Sequence, residues 1–519
     1  MLAIIQSCAV FGLAGYGVSV EVDVSNGLPA FDIVGLPDTT VRESKERVRA
    51  ALKNAGFEFP LRRIVVNLAP AGIKKEGALL DLPIAVGILA ATGQVPLNES
   101  LQKSAFLGEL SLEGALRPVS GVLAMADYLN SQADTERIYL PQANAAEAAI
   151  CAEVNVLGAG HLRQVVASLC GRAQIAPQKA DIAQILAQGQ KQTLADMAEV
   201  RGQEGVKRAL EIAAAGGHNI LVVGSPGSGK TMLARRLPGI MPPLTVQESL
   251  QTSKIYSVAG LLPRDQALIT VRPFRAPHHG ASAASIIGGG SNPKPGEASL
   301  ASNGVLFLDE LPEFNREVLE ALRQPLEDNI ISIARVQARI EYPANFQLVA
   351  AMNPCPCGYH GDSLRPCSCR PTNRQRYRAR ISGPLLDRID IQIEVPRVKY
   401  TELAGRDQPM PESSDDIRKR VIAARERQAA RFVGADYCIN AKMSRQQLVA
   451  CCQLDQEAAL LLQEAFKHLR LSARSHDRIL KVARTIADLA AVEQISAEHI
   501  AEAVQYRGLD REEDSASHY

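Results

Sequence analysis

The run from Gly224 to Thr231 constrains the fold of this chain more than any other segment, because it reads Gly-Ser-Pro-Gly-Ser-Gly-Lys-Thr. Its spacing, G-x-x-x-x-G-K-[ST], is that of a phosphate-binding loop, which works only between the end of a strand and the start of a helix. Residues 218–223 before it have the apolar character of a strand, and residues 232–237 after it have helical character. We therefore predict that the backbone N–H groups of this loop bind the phosphates of a nucleotide. The alternative is a glycine-rich turn that binds nothing.

The predicted loop implies a nucleotide and a metal ion as cofactors. Lys230 is expected to reach the β- and γ-phosphates of ATP, and the hydroxyl of Thr231 is expected on Mg²⁺. The predicted nucleotide-binding residues are Gly224, Ser225, Pro226, Gly227, Ser228, Gly229, Lys230 and Thr231.

Two later apolar runs end in polar residues that would complete a hydrolytic site. Residues 305–308 have a buried-strand pattern and are followed by Asp309 and Glu310. Carboxylates at a strand end are costly unless they face a cation, so we predict that Asp309 helps to hold Mg²⁺ and that Glu310 polarises the attacking water. An ordinary acidic strand end is the alternative. Asn353 follows the second run, 346–352, where its side chain could orient water against the γ-phosphate.

Length and charge limit the remaining classes of function. A chain of 519 residues has room for about three domains, and its 57 basic residues nearly balance its 56 acidic ones, so a nucleic-acid surface would have to be local. No apolar stretch reaches the roughly 18 residues that span a bilayer, and residues 1–8 lack the features of a signal peptide. We therefore expect a cytoplasmic protein whose ten cysteines are thiols or metal ligands rather than disulfides.

Changes in residue composition and periodicity divide the chain into segments. Short β-type runs mix with helical stretches at the N-terminus, β-rich runs alternate with helices in the middle, and helical spacing prevails near the C-terminus. The middle segment predicts an α/β core with a parallel sheet. The predicted segments are an N-terminal domain at 1–172, a linker at 173–192, the α/β ATPase core at 193–400, a second linker at 401–414, a helical lid at 415–508 and a flexible tail at 509–519.

A four-cysteine pattern lies inside the core segment. Cys355 and Cys357 are followed, after nine intervening residues rich in turn formers, by Cys367 and Cys369. Four thiolates at tetrahedral distance suit Zn²⁺ in a closed structural site without an open position for chemistry. We therefore predict a structural zinc site, with an iron–sulfur cluster or unliganded, redox-active thiols as alternatives.

A basic run follows the cysteines directly. Residues 370–380 hold five arginines and no acidic residue, and Tyr377 lies among them. Arginines beside an aromatic ring are what a single-stranded nucleic acid would contact. Arg374, Arg376 and Arg378 are therefore DNA-binding candidates, and a subunit interface or a solvated face is the equal alternative.

Four further segments carry a resemblance to one family. They are 272–279 (Arg-Pro-Phe-Arg-Ala-Pro-His-His), 304–311 (Gly-Val-Leu-Phe-Leu-Asp-Glu-Leu), 350–358 (Ala-Ala-Met-Asn-Pro-Cys-Pro-Cys-Gly) and 382–390 (Ser-Gly-Pro-Leu-Leu-Asp-Arg-Ile-Asp). With these motifs the chain resembles, over essentially its whole length, an AAA+ ATPase of the magnesium-chelatase-like branch, the ComM (YifB) family.

The resemblance implies two further arginines in the ATPase site. Arg388 resembles the arginine finger that reaches into a neighbouring subunit's nucleotide, and a surface arginine paired with Asp387 or Asp390 is the alternative. Arg474 resembles the second sensor arginine of the helical lid, with Arg478 as the runner-up. Because an arginine finger acts between subunits, the resemblance also implies a ring, expected to be a hexamer.

The resemblance also concerns three smaller features. Residues 200–203 lie where related ATPases contact adenine. The pair His278–His279 is expected to have a structural or nucleotide-linked role rather than to bind a metal. Residues 331–342 read as a hairpin, which in this branch projects toward a central pore, so Arg335 and Arg339 are candidates for DNA phosphate contacts or, equally, solvated or subunit-bridging residues.

Residues 1–172 resemble the α+β fold of the Lon protease domain, which is of the S5 domain 2-like type. An active enzyme of that type needs a serine nucleophile and a lysine. Here Asp81 stands in the nucleophile segment and Leu123 in the lysine segment, so proteolysis is not expected. The domain is expected to help ring assembly or to line a DNA channel, with Lys74 and Lys75 as candidate phosphate contacts.

The resemblance as a whole implies a ring-shaped, ATP-driven motor on single-stranded or branched DNA. Such a helicase or branch-migration factor would promote the integration of DNA by homologous recombination during natural transformation, with recombination proteins as further partners. The first alternative is a magnesium-chelatase-like subunit that drives metal insertion into a porphyrin, which the added N-terminal domain and the cysteines argue against. An ATP-dependent protease is the least favoured alternative.

Overall fold

Alternating burial along the first two strands shows how the N-terminal part of the chain folds. In the computed structural model, Leu2–Phe11 and Ala14–Ser25 pair antiparallel, and buried residues alternate with more exposed ones along most of both strands. Since side chains in a strand point to opposite faces in turn, one face of this hairpin is committed to a core. The helix Asp81–Ala91, all of whose residues are buried, is part of that core.

The chain divides into two compact units. The structure describes residues 1–189, 195–263, 265–290, 293–334, 339–362, 364–397, 411–434, 439–468 and 472–507. The first unit comprises Met1–Gln190, Thr245–Thr270 and Ala334–Ile340, and the second comprises Lys191–Leu244, Val271–Ile333 and Glu341–Tyr519.

In the described part of the first unit, seven strands form one mixed sheet. Their spatial order is Ala30–Val34, Arg63–Ala69, Ala14–Ser25, Leu2–Phe11, Ser104–Phe106, Arg137–Pro141 and Asn155–Ala159. A separate ladder joins Glu109–Leu110 to Leu116–Arg117. The helices are Thr39–Asn54, Asp81–Ala91, Glu99–Gln102, Val122–Asn130, Ala145–Ala148, Leu162–Leu169, Ile182–Gly189 and Val246–Ala259, with 3₁₀ turns at Ala78–Leu80 and Gln142–Asn144. This mixture agrees with an α+β domain, and its likeness to the Lon fold stays a prediction.

The helix Val246–Ala259 follows the phosphate-binding segment in sequence but packs in the first unit. Lys254 Nζ lies 2.6 Å from a carboxylate oxygen of Asp127, and the Ser257 hydroxyl donates to Glu147 at 2.5 Å. The predicted continuous ATPase core is therefore interrupted here. The partners that hold the helix are 127 and 110 positions away, which no local sequence pattern reveals.

Asp81 is buried and paired. Its carboxylate accepts hydrogen bonds from the Ser44 hydroxyl, from Arg47 Nε at 2.8 Å and from the backbone N–H of Leu110 at 3.2 Å. Leu123 is also fully buried. Neither Asp81 nor Leu123 is accessible to solvent.

The prediction that Lys75 contacts phosphates is wrong. Its side chain is buried, its ammonium donates to the carbonyl of Pro70, and burial lowers its pKa. The cause is local, because the backbone N–H of Lys75 bonds to the carbonyl of Leu36 and so holds the chain inward. Lys74 is exposed and pairs with Glu76 at 3.1 Å.

In the second unit, five strands of the described residues form a parallel sheet. Their spatial order is Phe274–Arg275, Val305–Leu308, Gln347–Met352, Ile220–Gly224 and Ile391–Val395, and every neighbouring pair is parallel. This confirms the predicted α/β core. Because the carboxyl ends of parallel strands meet at one edge, the residues that follow these strands come together there.

Short helices surround this sheet. They are Glu204–Gly216, Lys230–Ala234, Leu237–Ile240, Ala283–Ile287, Glu297–Leu300, Arg316–Ala321, Arg323–Asp328, Pro371–Arg378 and Gly383–Leu386, with 3₁₀ turns at Met197–Glu199 and Leu311–Glu313. Small two-stranded sheets pair Gly288–Gly289 with Lys294–Pro295 and Ile330–Ala334 with Arg339–Pro343.

The described C-terminal part is helical, which confirms the predicted helical C-terminal domain, and its role as a lid stays a prediction. Its helices are Ser414–Arg431, Arg445–Cys451, Gln456–His468, Ala473–Leu489 and Ala497–Gln505, with a 3₁₀ turn at Asn440–Lys442. Their apolar faces share a core with the helix Glu204–Gly216. Among the residues described, no helix is both long and apolar enough to cross a membrane.

Replacing Arg47 by alanine should destabilise the protein strongly. The variant leaves the Asp81 carboxylate, which is 0% exposed, as an unpaired buried charge, and such a loss costs about 3–5 kcal/mol of unfolding free energy. Urea denaturation followed by circular dichroism measures this. The matched control is Arg117→Ala, which breaks a solvent-exposed pair with Glu109 and should change stability little. Equal losses in the two variants would contradict a stabilising role for the buried pair.

Candidate nucleotide-binding site

The phosphate-binding loop connects a buried strand to a helix, as the sequence predicts. Ile220–Gly224 is buried throughout, and the helix Lys230–Ala234 begins directly after the loop. Gly227 and Gly229 have φ angles of 77° and 90°, a region that L side chains rarely adopt. A Cβ atom on Gly224 would lie 2.7 Å from a serine hydroxyl of the same loop, so this position also excludes a side chain. The backbone can therefore approach a bound anion closely.

Lys230 is held by oxygen atoms at the edge of the sheet. Its Nζ lies 2.7 Å from the carbonyl oxygen of Gly224, 3.1 Å from that of Ser225 and 3.2 Å from Asn353 Oδ1. Burial lowers the pKa of Lys230, and the carboxylates of Asp309 and Glu310 act in the opposite direction. The structure thus brings Asn353 to the lysine of the loop, although 123 positions separate them in sequence.

Thr231 and Asp309 are in contact where the sequence predicts a cation. The Thr231 hydroxyl donates to Asp309 Oδ2 at 2.7 Å, and the other carboxylate oxygen accepts from the backbone N–H of Glu310 at 3.0 Å. Hydroxyl and carboxylate oxygens, together with phosphate oxygens, are the ligands that Mg²⁺ takes. These donors fit the ion, which when bound neutralises charge on the phosphates.

Glu310 contacts a histidine whose role the sequence leaves open. His279 Nδ1 lies 3.2 Å from Glu310 Oε2, and the ring of His279 packs on that of His278 with centroids 4.0 Å apart. Glu310 itself has a φ of 53°, and such conformations of non-glycine residues cluster at functional sites. For this contact the sequence offered only the His278–His279 pair. Two histidines that are adjacent in sequence do not indicate which of the two rings contacts a carboxylate far along the chain.

Gln203 lies against the phosphate-binding loop. Its Nε2 donates to the carbonyl of Ser228 at 2.7 Å and to that of Pro396 at 3.2 Å. Gln203 Oε1 and Ser228 Oγ are buried and, among the described residues, have no hydrogen-bond partner. Buried polar atoms of this kind normally have a partner, so their position fits a site that takes a polar ligand.

Arg388 lies in a cluster of positive charge. Its guanidinium pairs with Glu327 and donates to the carbonyl of Pro384. Its described contacts do not include the alternative partners Asp387 and Asp390. Burial lowers the pKa of Arg388, and three neighbouring arginines add to this effect. Like charges held together in this way favour an anion nearby.

Arg474 and Arg478 differ in exposure. The side chain of Arg474 is 70% exposed and pairs with Asp387 at 3.1 Å, whereas that of Arg478 is 15% exposed. Arg478 lies 3.8 Å from Asp390 and donates to the carbonyl of Ile389 at 3.2 Å. The accessible Arg474 is therefore the better candidate for the second sensor.

The four cysteines come together, as their spacing predicts. Cys355 Sγ lies 3.4 Å from Cys357 Sγ and 3.6 Å from Cys367 Sγ, and with Cys369 the four sulfur atoms all lie within 4.8 Å of one another. Sulfur atoms arranged tetrahedrally at about 2.3 Å from Zn²⁺ would be about 3.8 Å apart. The cluster can therefore hold a metal ion.

The basic run after the cysteines includes the helix Pro371–Arg378. Tyr377 is 6% exposed and packs in a hydrophobic core, so the prediction that its ring stands beside arginines for nucleic-acid contact is wrong. The cause is amphipathicity, because the apolar side chain of a polar helix turns to the core. Arg376 is exposed, whereas Arg374 and Arg378 are half-buried.

The predicted hairpin exists as the strand pair Ile330–Ala334 and Arg339–Pro343. Arg339 is exposed on it. Arg335, the other candidate DNA contact on this hairpin, lies outside the described residues.

Together the fold and the site define a class of protein. Counted along the chain, the phosphate-binding loop follows the first strand of the parallel sheet, and the Asp309–Glu310 pair follows the third. Helices complete the C-terminal part. This is the arrangement of an AAA+ ATPase with a C-terminal helical domain.

Family models match three stretches of the chain. The model described as magnesium chelatase, subunit ChlI, matches residues 196–403. The one described as subunit ChlI of Mg-chelatase matches residues 20–144, and the one described as magnesium chelatase, subunit ChlI C-terminal, matches residues 411–507.

Similar proteins define the family more narrowly. Competence protein ComM of Haemophilus influenzae is 46% identical over 514 residues, which cover 98% of both chains. The YifB protein of Salmonella typhimurium is 45% identical over 512 residues, again 98% of both chains. The magnesium-chelatase 67 kDa subunit of Heliobacterium mobile is 25% identical over 193 residues, 32% of this chain and 29% of that protein. The chain belongs to the ComM/YifB family of magnesium-chelatase-like AAA+ proteins.

We expect His279→Ala to lower the turnover number of ATP hydrolysis about tenfold to a hundredfold, because positioned acid–base groups contribute 10²–10⁴ and this variant misplaces one. The KM for ATP should change little, since His279 contacts Glu310 and not the loop. His279→Gln, which can still hydrogen-bond to Glu310, should recover part of the rate. Steady-state kinetics measures both parameters.

The matched control is His278→Ala. The described contacts of His278 are with His279 and Gly280, so its loss should have the smaller effect. A raised KM with unchanged turnover in His279→Ala would show that this histidine does not position the carboxylate.

Proposed function

We propose that this protein is a ring-shaped DNA motor, a helicase or branch-migration factor that promotes DNA integration by homologous recombination. The observation that carries the proposal is the set of hydrolytic residues at one sheet edge, with Thr231 against Asp309 and Lys230 against Asn353. Membership of the family supports ATP hydrolysis. The likeness to competence protein ComM of Haemophilus influenzae supports a role in natural transformation.

Each residue of the site has a distinct proposed role. The loop backbone and Lys230 bind and orient the phosphates, and the Glu310 carboxylate takes a proton from the attacking water while His279 fixes its position. The remaining roles are cation binding by Thr231 and Asp309 and orientation of the water by Asn353.

Arg388 is proposed to act on the nucleotide of a neighbouring subunit, and Arg474 is proposed to be the second sensor, which senses the γ-phosphate from the helical lid. Their described contacts are with Glu327, Pro384 and Asp387, not with the phosphate-binding loop of their own chain. An arginine supplied by a neighbour raises the rate about 10³–10⁵-fold. We therefore propose a closed ring, a hexamer by family likeness, in which every site is shared.

The proposed DNA contacts are arginines on the core. Arg339 and Arg376 are exposed, and the half-buried Arg374 and Arg378 flank the latter. Arg335, outside the described residues, is the remaining candidate. Because the basic and acidic residues of the chain nearly cancel, DNA binding would require a local basic group, such as the arginines of the helix Pro371–Arg378.

The N-terminal domain is proposed to be a Lon-like assembly domain without protease activity. The buried, paired Asp81 supports this, because a carboxylate held by Arg47 cannot replace a serine nucleophile. We propose the cytoplasm as the compartment, since the substrate DNA and ATP are found there.

A magnesium-chelatase-like subunit is the second candidate. The family models with that name match three stretches of the chain, which favours it. The match to the Heliobacterium mobile chelatase subunit, however, covers 32% of this chain, whereas the match to ComM covers 98%. The DNA motor is therefore the better supported function.

Mixing two inactive variants tests the shared site. Arg388→Ala should lower ATP turnover about 10³-fold or more, and Lys230→Ala should abolish nucleotide binding. A mixed ring should regain activity, because an intact loop from the first variant then meets an intact arginine from the second. Turnover against mixing ratio measures this. Activity that stays at the level of the separate variants would contradict catalysis between subunits.

Forked duplexes and four-way junctions should stimulate ATP turnover and be remodelled in an ATP-dependent reaction. Lys230→Ala and Glu310→Gln should both lose remodelling, while Glu310→Gln still binds nucleotide because its loop is intact. Gel assays with labelled junctions give the readout, and circular dichroism verifies folding. Stimulation by protoporphyrin instead of DNA would favour the chelatase candidate, and remodelling by either variant would exclude a motor.

A further inference from the structure

The loop that carries the four cysteines lies directly against the phosphate-binding loop. A Cβ atom on Gly358, between the two cysteine pairs, would lie 2.6 Å from both Cδ and Cγ of Pro226. Real Cβ atoms do not come so close to a rigid ring, so only glycine allows this packing, and the φ of +85° at Gly358 also favours glycine. Pro226 lies in the middle of the loop that binds the phosphates.

The same cysteine loop starts from a residue of the ATPase site. Asn353, whose side chain accepts from Lys230 at 3.2 Å, is two residues before Cys355. Cys355 is buried, and its carbonyl accepts from the backbone N–H of Gly358 at 2.9 Å. One short stretch therefore connects the lysine of the nucleotide site to the first sulfur and to the contact with Pro226.

A second contact lies on the other side of the cysteine loop. The Asp362 carboxylate accepts from the backbone N–H groups of Leu364 and Arg365 at 2.9 and 3.1 Å. The side chain of Ser225, in the phosphate-binding loop, adds to these and lowers the pKa of Asp362. Arg397 pairs with the same carboxylate at 2.6 Å. The cysteine loop thus approaches Pro226 of the phosphate-binding loop through Gly358 and pairs with Arg397 through Asp362.

A metal ion would hold the cysteine loop in this shape. Between Cys357 and Cys367 the described residues form turns rather than a helix or strand, so little backbone pairing fixes them. Four sulfur atoms within 4.8 Å of one another would repel as thiolates unless a cation lay between them. A closed, four-coordinate ion both neutralises that charge and ties the two ends of the loop together.

We propose that the Cys355, Cys357, Cys367 and Cys369 cluster binds one Zn²⁺ ion and that this metal-closed loop holds the phosphate-binding loop in the shape that binds nucleotide. Metal occupancy then sets nucleotide affinity. The inference rests on the nucleotide site of the proposed function and is independent of any action on DNA.

Metal analysis of the purified full chain is the first measurement. We expect about one zinc per chain, released by a mercurial reagent that titrates thiolates and absent from Cys355→Ser/Cys367→Ser. Cys170→Ser, which lies outside the cluster, should keep the zinc. Iron with inorganic sulfide, or no bound metal, would overturn the proposal.

The second measurement is the affinity for a fluorescent, non-hydrolysable ATP analogue without DNA. Removal of the zinc should weaken binding about tenfold or more, the equivalent of one lost interaction of about 1.4 kcal/mol, and added Zn²⁺ should restore it. An unchanged affinity in the metal-free protein, with circular dichroism showing an intact fold, would refute the coupling. If the untreated protein binds no analogue, the nucleotide site of the proposed function fails instead.

Two glycine variants separate loop contact from metal loss. Gly358→Ala should keep the zinc yet bind the analogue more weakly, because its Cβ displaces Pro226. Gly361→Ala is the matched control, since it also has a positive φ, +78°, but its Cβ would meet no atom within 4 Å. Equal affinities in the two variants, both with zinc bound, would show that the contact with Pro226 does not transmit the effect.

Discussion

The buried ammonium of Lys230 is the constraint around which the ATPase core is organised. An ammonium in a buried position is costly unless oxygen atoms surround it, and here two backbone carbonyls and Asn353 do so. These groups meet because the strands that carry them are neighbours and parallel, with Val223 opposite Met352. The strand before Asp309, Val305–Leu308, pairs with the other edge of Gln347–Met352. A parallel order of strands thus becomes a single edge where cation ligands and phosphate ligands lie together.

Sequence could predict the parts of the site that are local. The phosphate-binding loop is contained in one strand–loop–helix segment, and the cysteine spacing itself implies a loop folded around an ion. The sequence could not predict the contacts of His279 with Glu310 and of Gly358 with Pro226, because these contacts join segments that only the fold brings together. The prediction for Tyr377 was wrong for a related reason. A single aromatic residue in a basic run does not indicate whether its ring faces solvent or the core.

In the N-terminal unit, Asp81 is a buried residue whose carboxylate is used for hydrogen bonds within the structure. Asp81 would be an expensive buried charge alone, and Arg47, Ser44 and the backbone N–H of Leu110 together compensate for it. Such a network holds the start of a wholly buried helix in place. A carboxylate that stabilises structure in this way is committed to its hydrogen-bond partners.

The two halves of the ATPase site differ in how firmly the chain holds them. At the sheet edge, Lys230 donates a hydrogen bond to Asn353, and Thr231 donates one to Asp309. The side chain of Arg474, in contrast, is 70% exposed. Under the proposed function, the buried groups at the sheet edge bind the nucleotide, and the exposed Arg474 senses its γ-phosphate from the helical lid. The proposed metal-closed loop against Pro226 would belong to the firmly held half, because an ion held by four thiolates without an open position contributes shape and no chemistry of its own.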